Sequence, residues 1–329
     1  MKKQEKPEMK EKFRTTIGGQ ALIEGILMRG PEKDAIVVRK DGELCVEVKD
    51  RVIRPKKSIA TWPLIRGVVN FFDAQVCGIK AIMQSADLSG ESESEQPSKF
   101  DIWLEKKLGK KGMEKFLIGF ATVLGLGLSV ALFFLLPMLI STLLTDIPLV
   151  QNIIEGAVRL VIFFIYLLAV SRMKDMRRVF AYHGAEHKTI RCYEAGMPLT
   201  VENVRMHTRL HPRCGTSFLL VVMIISIFVF SVASSLIASI PGYEAINNPI
   251  LRKAIMVVCK LALLPVVVAI SYEFNRWAGR HDNIVTKILT APGMWFQLLT
   301  TVEPDDDMIE VGIASLEAVI PSEERSDIW

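Results

Sequence analysis

The sequence predicts an α-helical polytopic membrane protein with about four transmembrane helices and both termini cytoplasmic. A small N-terminal β-unit and amphipathic helices on the cytoplasmic face complete it. Three observations lead there. Half of the 329 residues are apolar, an ordinary fraction, yet they gather into four runs of the length that crosses a bilayer core, about 20 residues in a helix. Two apolar runs flank Lys40-Asp41-Gly42, and Asp-Gly between alternating runs is a hairpin signal. After them, apolar residues recur every three or four positions, the period of a helix with one apolar face. The apolar content excludes a disordered chain, and 21 Gly and 15 Pro without a period exclude a collagen-like repeat. Five scattered cysteines, odd in number and in no CxxC, argue against a disulfide-stapled secreted domain.

Residues 1–16 begin MKKQEKPEMKEK, alternating charge with no apolar h-region, so they read as a disordered, solvated tail and not a signal peptide. Residues 17–58 form the β-unit. Over 59–88, Ile65, Val69, Phe72, Val76, Ile79 and Met83 fall on one helical face, with Arg66, Asn70, Asp73 and Lys80 between them. That face suits a bilayer surface or a packed partner helix. The acidic, Pro-containing stretch within 89–99 is a linker.

Residues 100–302 are read as the transmembrane domain, with spans over 117–144, 149–170, 218–240 and 255–274. Pro137 and Pro265 mark kinks in the first and last. Lysines cluster before the first span, and nine basic residues occupy the loop 171–217, whereas the other two loops carry two between them. Lys and Arg collect on the cytoplasmic side, so the termini and the long loop are expected there. Residues 303–329 form an acidic tail in which Asp305 to Asp307 precede Ile309, Ile313, Leu316 and Ile320. The carboxylates stand at the positive dipole end of a short amphipathic helix. Gly18, Gly19 and Gly25 make neither GxGxxG nor a P-loop, so no nucleotide site is indicated and no nucleic acid partner is expected.

Four of the five histidines lie in the loop 171–217, and two pairs are four residues apart, where chance predicts about 0.06 such pairs. The first pair belongs to His183-Gly184-Ala185-Glu186-His187, an HxxEH sequence. On a helix, positions i and i+4 point the same way, so two imidazoles reach one cation with Glu186 beside them. This is HExxH with its glutamate moved, the arrangement in which two His bind Zn²⁺ and the Glu handles the proton of a water. Glu273, an ionisable residue ending the fourth span on the same side, is the expected third ligand. The plainer alternative has these residues solvating a basic juxtamembrane helix, with Glu273 paired to Arg276.

The second pair, His207 and His211, need not share a face, because Pro212 pushes His211 out of the helical region. His211 and Cys214 could converge on a metal or substrate from that turn, or the loop could return to the membrane with Arg209 and Arg213 on lipid headgroups. Glu24 reads as an edge-strand carboxylate in water, with a cation or metal partner as the alternative. His281 is either a surface residue or a completing member of the site.

These stretches carry a resemblance. GGQALIEGILMRGP at 18–31, YHGAEHKTIRCYE at 182–194, HPRCGTSF at 211–218, SYEFNR at 271–276 and EPDDDMIEVGIASLEAV at 303–319 resemble the YqhQ-like family of bacterial membrane proteins. The resemblance covers almost the whole chain. It implies a family of unknown function described as metal-dependent enzymes, with no substrate attached.

The expected activity is a Zn-dependent hydrolase at the cytoplasmic membrane surface, acting on a membrane protein segment or a lipid. His183, His187 and Glu273 are its expected metal ligands and Glu186 its general base, while His207, His211 or Arg213 stabilise an oxyanion or bind substrate. One alternative is a membrane di-iron oxidoreductase of desaturase or hydroxylase type, with carboxylates such as Glu24, Glu186 and Glu273 replacing missing histidines around Fe. The other is a non-enzymatic scaffold or transport component whose histidine loop binds a partner or a regulatory metal.

Overall fold

The computed structural model describes residues 13–51, 58–90, 99–243, 245–281, 283–323 and 326–328. The chain forms two compact units: residues 1–92, 167–221 and 268–329 make the first, and residues 93–166 and 222–267 the second. The earliest part of the predicted tail and the middle of the predicted linker lie outside the described residues.

In the first unit, β1 (Gly18–Leu22), β2 (Gly25–Arg29), β3 (Lys33–Lys40) and β4 (Glu43–Asp50) form an antiparallel meander in sequence order. Asp41 and Gly42 both have positive φ, 51° and 86°, as a two-residue hairpin turn requires, and Lys40 faces Glu43 across it. A second tight turn joins Leu22 to Gly25, and Glu24 sits in it with φ 49°. Glu24 is therefore a turn residue, not an edge-strand one. The period of two sends Ile26, Met28, Ala35 and Val37 to one face of the sheet, and Leu22, Leu27, Ile36 and Val38 to the other.

Both faces are covered. Against the second face lies α1 (Ile65–Ser89), through Ala81, Cys77 and Leu88. It approaches with small residues, since a Cβ on Gly78 would stand 2.4 Å from Gln20 Oε1, while Phe72, Val76, Ile79 and Met83 remain exposed. Against the first face lie α6 (Lys174–Glu194) and α12 (Asp306–Glu317), which supply Tyr182, Ala185 and Ile190, and Met308, Val311 and Leu316. Asp305 caps α12 by accepting from Met308 N at 2.9 Å, as the acidic start predicts. The segment expected to be a tail is thus part of the core. Thr15 bridges to Ile328, and Thr16 N donates to Asp327 O at 2.6 Å, so the described end of the predicted N-terminal tail is held too. Short α7 (Val201–Arg205) follows α6.

Among the described residues, four helices are long and apolar enough to cross a membrane: Lys115–Leu144, Val150–Val170, Gly215–Ala238 and Pro249–Arg280. They comprise α3 (Lys110–Val130) with α4 (Leu136–Leu144), α5 (Pro148–Val170), α8 (Gly215–Ala238), and α9 (Pro249–Ala262) with α10 (Leu264–Arg280); α2 (Lys99–Leu108) precedes them. Within the second unit, Pro137 has no N–H to offer the Phe133 carbonyl four residues earlier, and a π turn occupies Ala131–Leu135. Arg159 Nε donates to that carbonyl instead, at 2.9 Å. The guanidinium lies 5.4 Å from the rings of Phe134 and Phe230 and within 4.0 Å of Glu155, which also accepts from Lys260 Nζ at 2.6 Å. Three charges placed in apolar spans thereby close into one buried network.

Candidate metal centre

The site is built in the first unit on α6, whose residues from Ala181 to Cys192 are almost continuously buried. The glycine of HGAEH lets another strand of chain approach. Val302 N donates to Phe180 O at 2.8 Å, and a Cβ on Gly184 would come within 2.2 Å of Val302 O. On either side of that glycine, His183 and His187 meet edge to face with ring centroids 4.3 Å apart, as the i, i+4 spacing predicts.

Backbone carbonyls set both tautomers. His183 Nδ1 lies 2.9 Å from Thr300 O, and His187 Nδ1 lies 2.5 Å from Arg209 O. A carbonyl only accepts, so each Nδ1 carries the proton and each Nε2 keeps its lone pair. Into the space before those lone pairs comes Cys214, from the turn that Pro212 creates. Its Sγ is 3.1 Å from His183 Nε2, and it meets Thr216 Oγ1 at 3.1 Å and Thr216 N at 3.4 Å. The ligand atoms of His183, His187 and Cys214 all lie within 4.8 Å of one another.

Two polar atoms there are buried with no hydrogen-bond partner among the described residues: His187 Nε2 and Glu186 Oε2. The other Glu186 oxygen accepts from Gly19 N at 3.0 Å, and a Cβ on Gly19 would stand 3.0 Å from Glu186 Cδ, so the start of β1 meets the carboxylate through a glycine. Burial pushes the Glu186 carboxyl up to about 7 and the His187 imidazole down to about 4. Burial also opposes the Cys214 thiolate, but neighbouring His187 and the hydrogen bonds around the sulfur outweigh it and hold the thiol below its usual range.

The remaining expected site residues are placed differently. Glu273 does not reach this cluster: its oxygens accept from Arg66 Nε at 2.7 Å, from Arg66 Nη2 and from Leu64 N. A bidentate guanidinium occupies it, and Cys214 stands where a third ligand was expected. The ring of His211 is tilted 5.5 Å from that of His187. Gln297 clamps the His211 backbone, its Oε1 accepting from His211 N and its Nε2 donating to His211 O, both at 2.7 Å. His211 Nε2 faces Glu194 at 3.5 Å, and Arg213 Nη2 donates to the same carboxylate. His207, His281 and Arg213 line a separate cavity. Glu24 accepts from Arg178 Nε and Nη2, each at 2.5 Å, and from Tyr182, so its partner is a cation.

Gln297 and Glu194 were not singled out by spacing. Gln297 is a fully buried amide on α11 (Ile284–Thr300), a helix not predicted from the apolar runs, the last of which ends at residue 274. A lone amide in the apolar stretch MWFQLLT was its available signal.

The profile described as "Protein of unknown function (DUF1385)" matches residues 62–322. The chain is also 33% identical, over 326 residues, to the "Uncharacterized protein YqhQ" of Bacillus subtilis (strain 168), covering 97% of this chain and 96% of that one. No solved structure matches significantly. With a profile spanning most of its length and a relative aligned almost end to end, the chain belongs to the DUF1385 family.

Proposed function

We propose that the protein is a zinc-dependent hydrolase of the membrane surface, with His183, His187 and Cys214 as ligands and Glu186 as general base. The observation that carries this reading is the pair of unpartnered buried atoms, His187 Nε2 and Glu186 Oε2, beside three converging ligand atoms. Leaving such atoms unpaired costs about 1–3 kcal/mol each, and a cation with a water relieves both. The donor set fits: two imidazoles and a thiolate suit zinc, and three protein ligands leave a position for chemistry. Dioxygen-activating iron draws on carboxylates, and Glu24 and Glu273 are both held by arginines, which supports zinc over the di-iron alternative.

Zinc held by His183, His187 and Cys214 would supply a Lewis acid for a substrate carbonyl or phosphoryl oxygen. Glu186 takes the proton of the attacking water at Oε2, and a carboxyl raised to about 7 is matched to that task near neutral pH. Thr300 O and Arg209 O hold the two rings in their ligating tautomer. The Lys and Arg excess of the loop 171–217 supports a cytoplasmic position for the centre.

Metal analysis of the detergent-purified protein, stripped with chelator and reloaded with zinc, tests the assignment. Wild type and Glu186→Gln should retain about one zinc per chain; His187→Ala and Cys214→Ser should lose it. Stoichiometric zinc in His187→Ala overturns the ligand set. The 3.1 Å His183–Cys214 contact also has the geometry of a nucleophile–base pair. A wild-type protein that takes up no zinc but is rapidly alkylated at Cys214 would establish that second reading.

A further inference from the structure

We propose that α11 lies in the plane of the bilayer, with its outer face among lipid acyl chains and the candidate metal centre on its inner face. The polarity of this helix is inside out. Thr286, Gly293, Phe296, Gln297 and Thr300 are buried against the protein, whereas Ile284, Ile288, Trp295 and Leu298 form one outward stripe and are 70%, 65%, 67% and 52% exposed. A helix packed between protein and water turns its apolar side inward. Hydroxyls, a glycine and an amide inward with large apolar side chains outward is the packing of helices solvated by lipid. Lys287 is the single charged residue of the helix and falls in its first turn.

The neighbours of α11 identify the bilayer as what covers the stripe. A Cβ on Gly293 would stand 2.7 Å from Ser217 Cβ, and Gln297 Nε2 donates to Ser217 Oγ at 2.8 Å. Ser217 belongs to the first turn of α8, one of the helices apolar enough to cross a membrane. The same turn meets α1, with the rings of Phe71 and Phe218 6.3 Å apart, and a Cβ on Gly67 of α1 would stand 2.8 Å from Tyr272 Cβ on α10. Helix α1 is inside out as well: Gly67, Gly78, Ala81 and Ser85 are buried while Phe72, Val76 and Ile79 are exposed. Two outward apolar faces thus flank the point where α8 enters the bilayer, and exposed apolar patches of this kind mark membrane contact. The longer stretches outside the described residues, MKKQEKPEMKEK, VIRPKK and ESESEQPS, are chiefly charged or polar and do not match such faces.

The helix lies along the surface and does not cross. Its 17 residues extend about 25 Å, short of a hydrocarbon core of about 30 Å, and both of its ends are tied to α6. Just before its start, Arg14 Nη1 donates to Gly279 O at 3.0 Å, while adjoining Phe13 N donates at 3.1 Å to the carbonyl of Glu194, the last residue of α6. At its other end, Thr300 O meets His183 and Val302 N donates to Phe180 O. Eight of the 21 residues of α6 are charged, which keeps that helix out of hydrocarbon, and α11 runs alongside it. A tryptophan on the outer stripe suits the interfacial depth. The inner face carries the centre, where Thr300 O orients His183 and Gln297 clamps His211, so one helix diameter, about 10 Å, separates the centre from acyl chains. Lipids and membrane-flanking protein segments are then the substrates within reach; that consequence rests on the hydrolase reading, and the placement of α11 does not.

The experiment uses full-length protein in phosphatidylcholine nanodiscs and reads no activity. The fluorescence of Trp295 is taken as the difference between wild type and Trp295→Phe, a change at an exposed position that leaves the core intact. Lipids brominated close to the headgroup should lower this signal by about half, and by more than lipids brominated at the chain ends, while acrylamide in the water should leave it nearly unchanged. Independently, Ile288→p-benzoylphenylalanine should on irradiation add the mass of one phospholipid to the chain. Quenching by acrylamide as strong as that of free tryptophan, or a photoadduct that joins two chains, overturns the proposal in favour of water or a second copy on this face. Stronger quenching from the chain ends than from the headgroup region overturns the in-plane placement. Lipid quenching and a lipid adduct in a protein that takes up no zinc uphold the placement and reject the metalloenzyme.

Discussion

Glu194 ends α6, where donors from three directions converge on it: Thr15 N, Arg213 and His211. Burial works against its charge, yet these partners outweigh the burial and hold its carboxyl below the usual carboxylate range. A depressed folded pKa contributes stability that is present above the unfolded value near 4.5 and lost as pH falls through the folded one. Glu194→Gln should therefore lower the melting temperature near pH 7, because breaking a buried pair costs about 3–5 kcal/mol. It should also flatten the loss of stability between pH 5 and 3. Thermal unfolding of the detergent-solubilised protein across that range checks both effects; an acid limb as steep in the variant as in wild type would overturn the argument. The HxxEH spacing indicated in advance which two imidazoles lie side by side. It was silent on which further side chain joins them, because spacing within one helix says nothing of a span-ending carboxylate or a turn cysteine brought in from elsewhere in the chain. Arg66, separated from Glu273 by more than 200 residues, holds that carboxylate, and Cys214 lies beside the two histidines.

At the scale of elements, periodicity was most informative where a helix or strand meets a single environment. The β-hairpin at Asp41-Gly42, the four apolar helices and the face of α1 were all legible in this way. The meeting of Pro137 with Arg159 was not, because it pairs a missing donor on one helix with a side chain on another. Its energetics are testable. Arg159 satisfies the Phe133 carbonyl and joins Glu155 and Lys260 in a buried network, so Arg159→Ala should destabilise the solubilised protein by about 3–5 kcal/mol. Pro137→Ala restores an amide that can donate to Phe133 O within the helix. In that background the arginine has one obligation fewer, and Arg159→Ala should cost less by about 0.5–3 kcal/mol. Additive effects of the two substitutions on unfolding would show that the carbonyl contact carries no coupling energy.

Over the whole molecule, charge and connectivity give the C-terminal residues a larger part than a tail. Residues 303–329 carry nine acidic residues and one basic residue, and that composition alone reads as solvated. Three contacts reverse it. Met308, Val311 and Leu316 enter the core shared by the sheet and α6. Glu303 meets buried Lys188, the residue after His187. Gly312 brings α12 close to α6, since a Cβ there would stand 2.6 Å from Thr189 Oγ1. Chain ends far apart in sequence thus complete one core around the candidate metal centre. Ending the chain after Thr301 should leave the four apolar helices able to insert, because none of them includes the deleted residues. It should also expose the core face of β2, β3 and α6, and with it Glu186 and His187. The truncated protein is expected in the carbonate-resistant membrane fraction, sensitive to protease in the segment 171–217 and unable to retain zinc. Protease resistance and zinc content equal to the full-length protein would show that the sheet and α6 hold the centre without α12.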